Sequence, residues 1–224
     1  MIPSGQRASQ IGKRRGFDGD NSDRHSLITS LAGIFSILSE VFLDPEADVK
    51  VRLRGLLARC PEHCPGLAGL PGALRDMVDH CEALQDQAAH YVHLFLHGNG
   101  SPTVQLYESV HTHGMLMAPE VLDDLNALRE SVNMPPKARI ALPPDHLGYE
   151  LEILAHLLTE MERGQNRKER DRKAKAAQVL LSRHLIGFAR HFVRSLEEAG
   201  PHPYYRKAGE ALVEGLQACT LVLG

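Results

Sequence analysis

A carboxylate and an imidazole lie side by side at the start of a strongly apolar segment, as the pair Asp145-His146. Pro143 and Pro144 precede the pair, and a helix tolerates proline only in its first turn, so Asp145 is expected at or next to a helix start. There the carboxylate can accept hydrogen bonds from free amides and meets the positive end of the helix dipole. Leucines at helical spacing follow from Leu147, which predicts a helix with a buried stripe.

Three roles remain open for this pair. As an acid–base dyad, Asp145 would orient His146 and raise its basicity, but adjacent residues at a helix start do not usually face one another. As a structural element, the pair would pin the proline loop, and as a ligand site it would line a peptide groove. The sequence contains no nucleophile motif and no GxxxxGK[ST] phosphate loop. Catalysis is therefore the weakest of the three roles, and we expect no enzymatic activity.

A second stretch that could carry chemistry is Tyr107-Glu108-Ser109, which follows a loop rich in glycine and proline. It offers an aromatic face, a carboxylate and a hydroxyl close together. Glu108 can bind the guanidinium of a partner's arginine through a bidentate, charge-assisted contact. Equally, Glu108 can serve only to charge or cap the first turn of a helix. Both interpretations remain open.

The 13 histidines and 4 cysteines do not form a recognisable metal motif. Cys60 and Cys64, with His63 between them, have a loose loop spacing and no second pair to complete a zinc site. Glu152 and His156 are four residues apart, whereas helical di-metal sites use the Glu-x-x-His spacing. We therefore expect no metal and no cofactor, and we interpret the cysteines as thiols in a reducing compartment.

Composition is that of an ordinary globular protein. The 224 residues are 43% hydrophobic and 24% charged, so the chain can bury a substantial core. The net charge of -3 is not the basic excess that is typical of nucleic-acid-binding proteins. We find no apolar run of membrane-spanning length, and no secretory h-region follows the basic cluster Lys13-Arg14-Arg15. The predictions are a cytoplasmic location, no nucleic-acid partner and no stable membrane insertion.

Hydrophobic periodicity predicts an all-α protein, with a disordered tail over 1–24 and one globular multi-helix domain over 25–224. No stretch has the alternation of a sheet protein. A proline-rich seam at 133–144 separates the helical halves, and the charged run 163–173 is interpreted as a solvated connection. Helices are predicted over 26–43, 47–59, 73–96, 120–132, 145–163, 170–199 and 204–223, with a short helix or turn beginning at Tyr107.

Five short motifs of aromatic, acidic, glycine and proline residues follow one another along the chain. They are Tyr91-x-x-Leu94-Phe95-Leu96 with Gly98 and Gly100, Tyr107-Glu108-Ser109-Val110, Asp145-His146-x-Gly148-x-Glu150-Leu151-Glu152, His184-Leu185 with Phe188 and Phe192, and Ala199-Gly200-Pro201-His202-Pro203-Tyr204-Tyr205. Together they resemble the TorD/DmsD/NarJ family of molybdoenzyme maturation chaperones, over roughly residues 26 to 220. Members commonly carry a glutamate just before the proline loop, and here that place is Leu142. The role of that acid is therefore not carried over.

This resemblance implies a TorD-like helical fold and a chaperone rather than an enzyme. Such a chaperone binds the twin-arginine signal peptide and the apo-form of a molybdopterin oxidoreductase catalytic subunit, aids cofactor insertion and delays export. A receptor for two guanidinium groups followed by an apolar helix needs carboxylates beside an apolar groove. The candidate peptide-binding residues are Tyr107, Glu108, Ser109, Asp145, His146, Tyr149 and Glu150.

Alternatives to signal-peptide binding remain. One is a NarJ-like assembly factor for a non-exported subunit, and the other is a GTP-binding or GTP-hydrolysing protein, against which the absence of a phosphate loop weighs. The oligomer is either a monomer or a domain-swapped dimer formed by extension of the seam. The segment Lys13-Arg14-Arg15-Gly16-Phe17 looks like a twin-arginine core, so it is either a chance basic cluster or a self-ligand that competes with clients.

Overall fold

A computed structural model describes residues 21–59, 69–83, 86–97, 102–134 and 142–224. These residues form α-helices and two π-helical segments and contain no β-strand, which confirms the predicted all-α fold. The helices are α1 (Asn21–Leu43), α2 (Lys50–Leu57), α3 (Leu70–Ala83), α4 (Gln87–Tyr91), α5 (Glu108–His113), α6 (Pro119–Ser131), α7 (Leu147–Arg163), α8 (Arg167–Leu180), α9 (Ile186–Glu198) and α10 (Pro203–Leu223), and the π-helical segments are Val92–Leu96 and Leu181–Leu185.

The stretch 73–96 differs most from its prediction. Periodicity predicts a single helix here, but α3 ends at Ala83 and α4 begins at Gln87. Asp86 has a φ of 59°, a left-handed conformation that does not continue a helix, and its carboxylate caps α4 by accepting from the Ala89 amide at 3.2 Å. The prediction of one helix is therefore wrong. The spacing of apolar residues along the sequence does not reveal that a left-handed residue separates two helices.

The first helix also begins earlier than residue 26, where the sequence predicts its start. α1 starts at Asn21, and Arg24 Nη2 donates to the Val222 carbonyl at 3.0 Å, which ties this first turn to the end of α10. The segment 1–20, with its basic cluster, lies outside the described residues. So does the part of the proline seam between 135 and 141.

α1 is the central helix of the core. It packs along α7, while α10 packs against α1, α3 and α9. Leu31 and Phe35 of α1 are fully buried. At Gly148 in α7 an added Cβ would lie 3.0 Å from the Ser39 carbonyl oxygen and would overlap Leu43. Glycine therefore permits the close approach that holds the start of α7 against the end of α1.

By length and composition, α1 is apolar enough to cross a membrane. An 18-residue window within Asp23–Leu43 has a mean hydropathy of 1.8, although polar residues interrupt the apolar run. However, 61% of that window is buried inside the protein, where α1 contacts α7 and α10. The core helix of a globular protein meets the same criterion, and burial accounts for the apolar composition of α1.

The long predicted helix over 170–199 is present as α8, the π-helical segment Leu181–Leu185 and α9 in direct succession. The π-helical segment holds His184, whose side chain is buried. Single-turn π-helical segments within α-helices are frequent at functional sites. In the charged run before it, Lys173 is an exception to the solvated interpretation, because its buried Nζ donates to the Val132 carbonyl at 2.9 Å.

Candidate functional site

The two stretches singled out by the sequence lie next to each other. The chain before α5 runs antiparallel to the chain before α7. The Leu147 amide donates to the Leu106 carbonyl at 2.7 Å, and the Glu108 amide donates to the Asp145 carbonyl at 2.9 Å. These backbone bonds fix the start of α5 relative to the start of α7. All the candidate residues named from the sequence therefore belong to one region of the structure.

Asp145 caps α5 rather than α7. Its Oδ2 accepts from the Ser109 backbone amide at 3.2 Å and from the Ser109 hydroxyl at 2.5 Å, and its side chain is fully buried. The carboxylate lies at the positive end of a helix, as the sequence suggests, but that helix begins at Glu108. The helix that follows Asp145 in the chain, α7, begins only at Leu147.

Ser109 connects this carboxylate to the loop after α5. Its Oγ donates to Asp145 and also accepts from the Ala118 amide at 3.1 Å. The side chains of Ser109 and Asp145 and the residue Ala118 are all buried. The hydroxyl therefore uses its donor and an acceptor inside the protein. The sequence contains no motif for this link, because it depends on how the loop returns to α5.

His146 is the N-cap of α7. Its Nδ1 accepts from the Gly148 amide at 3.1 Å, so the ring nitrogen in this bond is unprotonated. Burial lowers the pKa of His146 to about 4, which keeps the imidazole neutral near pH 7. The carboxylate of Asp145 is directed at Ser109 rather than at this ring. The described contacts of the Asp145-His146 pair are structural, because Asp145 caps α5 and His146 caps α7.

Glu108 has a buried partner far away in the chain. Its Oε2 lies 2.9 Å from His184 Nδ1, and the two side chains are only 3% and 5% exposed. The contact joins the first residue of α5 to the π-helical segment before α9, across 76 residues. It is an ion pair when the imidazole is protonated, and otherwise a hydrogen bond that the neutral imidazole donates to the carboxylate. Sequence periodicity indicates only that His184 packs on a helix, and it does not identify Glu108 as its partner.

Glu150 completes a group of three buried acids. None of the described residues donates a hydrogen bond to a carboxyl oxygen of Glu150 or to Asp145 Oδ1. Burial, followed by the nearby carboxyls of Glu108 and Asp145 and by a side-chain hydrogen bond with Glu108, raises the pKa of Glu150 well above its usual range. Ionisation would add a further negative charge in a dry environment, so the protonated form of Glu150 is favoured. Glu108, Asp145 and Glu150 are called the acidic cluster below.

Three aromatic rings border the acidic cluster. The ring centroids of Tyr107 and His146 lie 5.2 Å apart, and those of His146 and Tyr149 lie 6.2 Å apart, both pairs edge to face. Tyr107 and Tyr149 are half-buried, whereas His146 is buried. Burial, and then the charge of Asp145, raises the pKa of the Tyr107 phenol. These three residues, the aromatic rim, directly adjoin Glu108, Asp145 and Glu150 in the chain.

The part of the chain that the structure describes contains no group of three or more His, Cys, Asp or Glu side chains with metal-binding geometry. Cys81 and Cys219 are free, buried thiols. Burial raises the pKa of Cys219 to about 12, so its reactive thiolate form is strongly disfavoured. Cys60 and Cys64 lie outside the described residues.

Comparison with known proteins places this site in a family. Residues 64–194 match the family described as "Nitrate reductase delta subunit", which is more than half of the chain and includes every candidate site residue. No curated protein matches the chain significantly. The match agrees with the resemblance seen in the sequence motifs and confirms it. The chain therefore belongs to the nitrate reductase delta subunit family of NarJ/TorD-type chaperones, which act in molybdoenzyme assembly.

Proposed function

We propose that this chaperone is cytoplasmic and binds the twin-arginine signal peptide and the apo-form of a molybdopterin oxidoreductase catalytic subunit. By holding both until the cofactor is inserted, it delays export of an incomplete enzyme. The observation that supports signal-peptide binding is the acidic cluster beside the aromatic rim. The peptide site in this proposal comprises Tyr107, Glu108, Ser109, Asp145, His146, Tyr149 and Glu150.

The acidic cluster is short of hydrogen-bond donors. Both carboxyl oxygens of Glu150 and one of Asp145 are buried, and no described residue donates a hydrogen bond to them. Each such group costs about 1–3 kcal/mol relative to a satisfied one. A guanidinium carries five N–H donors in a planar fork and can engage two carboxyls at once. An arginine inserted here would satisfy these oxygens and take the place of the proton on Glu150. A lysine, with a compact point charge, would satisfy them less well.

We propose that the aromatic rim controls access to these carboxyls. Glu108, Asp145 and Glu150 are buried, whereas Tyr107 and Tyr149 are half-buried. In our proposal the two tyrosine rings move aside as an arginine enters. The ring faces then contact the guanidinium by cation–π interaction and contact the apolar residues that follow it.

Isothermal titration calorimetry tests this proposal. The probe is a synthetic peptide in which an Arg-Arg pair precedes an apolar stretch of leucine and alanine, with a Lys-Lys version beside it. We expect binding to weaken about tenfold for the Lys-Lys peptide, and similarly for the variants Glu150→Gln and Asp145→Asn, which preserve side-chain shape. Glu46→Gln, at an exposed acidic position that is not part of the acidic cluster, is the control.

Circular dichroism and thermal unfolding establish that each variant is folded before its affinity is compared. Two results would contradict signal-peptide binding at this site. One is a wild-type protein that binds neither peptide. The other is equal affinity for the Arg-Arg and Lys-Lys peptides together with unchanged affinity in both cluster variants.

A second candidate function is an assembly factor for a catalytic subunit that is not exported. The family description, which names a nitrate reductase subunit rather than an export signal, favours it. Co-purification with a molybdoenzyme catalytic subunit whose leader has been removed distinguishes the two. A complex that is equally stable with and without the leader supports the assembly factor, and a complex that weakens on removal of the leader supports recognition of the signal peptide.

A further inference from the structure

The loop between α5 and α6 exposes a cluster of large apolar side chains. Of the six large hydrophobic residues that are strongly exposed in the described ranges, three are consecutive. Met115, Leu116 and Met117 are 53%, 57% and 55% exposed. Single exposed apolar residues are ordinary on a protein surface, but a contiguous group marks a surface that contacts something else. We name these three residues the apolar tip.

The apolar tip is held at both ends. Gly114 ends α5 in the left-handed conformation, with a φ of 68°, and Ala118 behind the tip is buried. The Ala118 amide donates to Ser109 Oγ, which itself donates to Asp145. Met117 has a φ of 59°, a conformation that costs a non-glycine residue about 1–2 kcal/mol. The anchor at Ala118 maintains this strained backbone, so the site identified above also sets the position of the tip.

A methionine-rich surface suits an apolar partner of variable sequence. Methionine has an unbranched, polarisable side chain that adapts its shape to many apolar surfaces. A promiscuous binding surface of this type accepts an apolar helix without requiring one particular sequence. The apolar tip therefore fits an apolar segment that is defined by its composition more than by the order of its residues.

The charged residues beside the apolar tip indicate which charge the partner carries. α6 starts directly after the tip, and Glu120, Asp123 and Asp124 recur at helical spacing on its exposed face. Arg183 lies 3.7 Å from Asp124, and Glu120 and Asp123 remain exposed. This face is acidic, so it attracts a segment with positive charge next to its apolar stretch.

We propose that the apolar tip and the acidic face of α6 form the docking surface for the client's leader segment, with the apolar stretch on the tip and flanking basic residues along α6. This inference rests on the proposed function, because it assumes that a cationic, apolar leader is the ligand. Ser109 and Asp145 are positioning residues for the tip in this arrangement. The acidic cluster selects the arginine pair, and the tip supplies apolar contact area.

The experiment compares three sets of variants for binding to the Arg-Arg peptide with its leucine–alanine stretch. In the first set, Met115, Leu116 and Met117 are all changed to serine. The second set changes Val51 and Leu221 to serine, because these are also exposed apolar residues but lie on α2 and α10. We expect the tip variant to bind about tenfold more weakly and the second set to bind like the wild type.

A third set tests the charges, with two lysines added after the leucine–alanine stretch of the same peptide. We expect Glu120→Lys with Asp123→Lys to weaken binding and to reduce its dependence on salt, because opposite charges attract less at high ionic strength. Glu46→Lys is the matched control, at an exposed acid outside α6. Solvent-exposed positions of this kind tolerate such changes without unfolding, and thermal unfolding checks this directly.

The outcomes separate this inference from the proposed function. If the wild type binds the peptide and the tip variant binds equally well, the docking surface is wrong while signal-peptide binding stands. If the wild type does not bind, both fail together. If the tip variant changes only the oligomeric state seen by light scattering, the tip contacts a second copy of the chain and the inference is overturned.

Discussion

His184 Nδ1 and Glu108 Oε2 lie 2.9 Å apart in the interior, joining the first residue of α5 to the π-helical segment that precedes α9. The contact holds one member of the acidic cluster in place from the opposite half of the chain. α5 is only six residues long, which is too short to be stable by itself. Its position therefore depends on such side-chain contacts with the rest of the fold.

Removing either partner of this pair should destabilise the protein more than removing both. Glu108→Leu and His184→Phe preserve approximate volume but remove the hydrogen-bonding groups of the contact. Loss of one partner from a buried pair typically costs about 3–5 kcal/mol, because the remaining group stays desolvated. A double-mutant cycle by urea denaturation should give a coupling energy of about 1–3 kcal/mol. The exposed pair Arg194 and Glu198 is the control, with an expected coupling below about 0.5 kcal/mol. Additive effects at Glu108 and His184 would contradict the prediction.

Ser109→Ala should destabilise the protein by about 1–3 kcal/mol, because the buried Asp145 carboxylate loses a donor and the Ala118 amide loses its acceptor. Urea denaturation measures the change in unfolding free energy. Ser182→Ala removes an exposed hydroxyl from the π-helical segment and should change it by less than about 0.5 kcal/mol. Similar effects from the two substitutions would show that the Ser109 hydroxyl has no special structural role.

Glu150→Gln should become more stable than the wild type as the pH rises. Between the ordinary carboxyl pKa of about 4.3 and the raised pKa of Glu150, the folded protein keeps a proton that the unfolded chain releases. The wild type therefore loses stability as pH rises through this window, whereas glutamine stays neutral. Each unit by which the pKa is raised corresponds to about 1.4 kcal/mol.

Thermal and urea unfolding from about pH 4.5 to about pH 8 check this prediction for Glu150. His146 has the opposite effect, since its lowered pKa makes stability rise with pH between about 4 and about 6.5. Because His146 is present in both proteins, its effect cancels in the difference between variant and wild type. Glu46→Gln should give a difference that varies less with pH. A flat difference for Glu150→Gln would show that Glu150 is ionised in the folded protein.

Two glycine substitutions should have opposite consequences. Gly148→Ala places a methyl group against Leu43 and 3.0 Å from the Ser39 carbonyl, so α1 and α7 must separate, at a cost of about 1–3 kcal/mol. Gly187→Ala in α9 meets nothing within 4 Å and should be neutral or stabilising by up to about 1 kcal/mol. Thermal denaturation of both variants checks the pair. Equal stability of the two variants would contradict the close approach of α1 and α7 at Gly148.

Local patterns in the sequence predict the helical class and most helix positions, because apolar residues at helical spacing report a buried face directly. The same local reasoning singles out Tyr107-Glu108-Ser109 and Asp145-His146 as two separate stretches, and the family resemblance groups them as one candidate site. It misses the break at Asp86, where the apolar residues of α3 and α4 continue at compatible spacing although the backbone turns between the helices.

By itself, the sequence determined the helical content and the set of polar groups available to the site. Only the tertiary structure decided how those groups are paired, placing His184 against Glu108 and the Ser109 hydroxyl between Asp145 and Ala118. It also decided that Glu150 is enclosed without a hydrogen-bond donor among the described residues. The physical reason is that helix formation follows from neighbours along the chain, whereas burial and hydrogen bonding of a charged group depend on which helices pack around it.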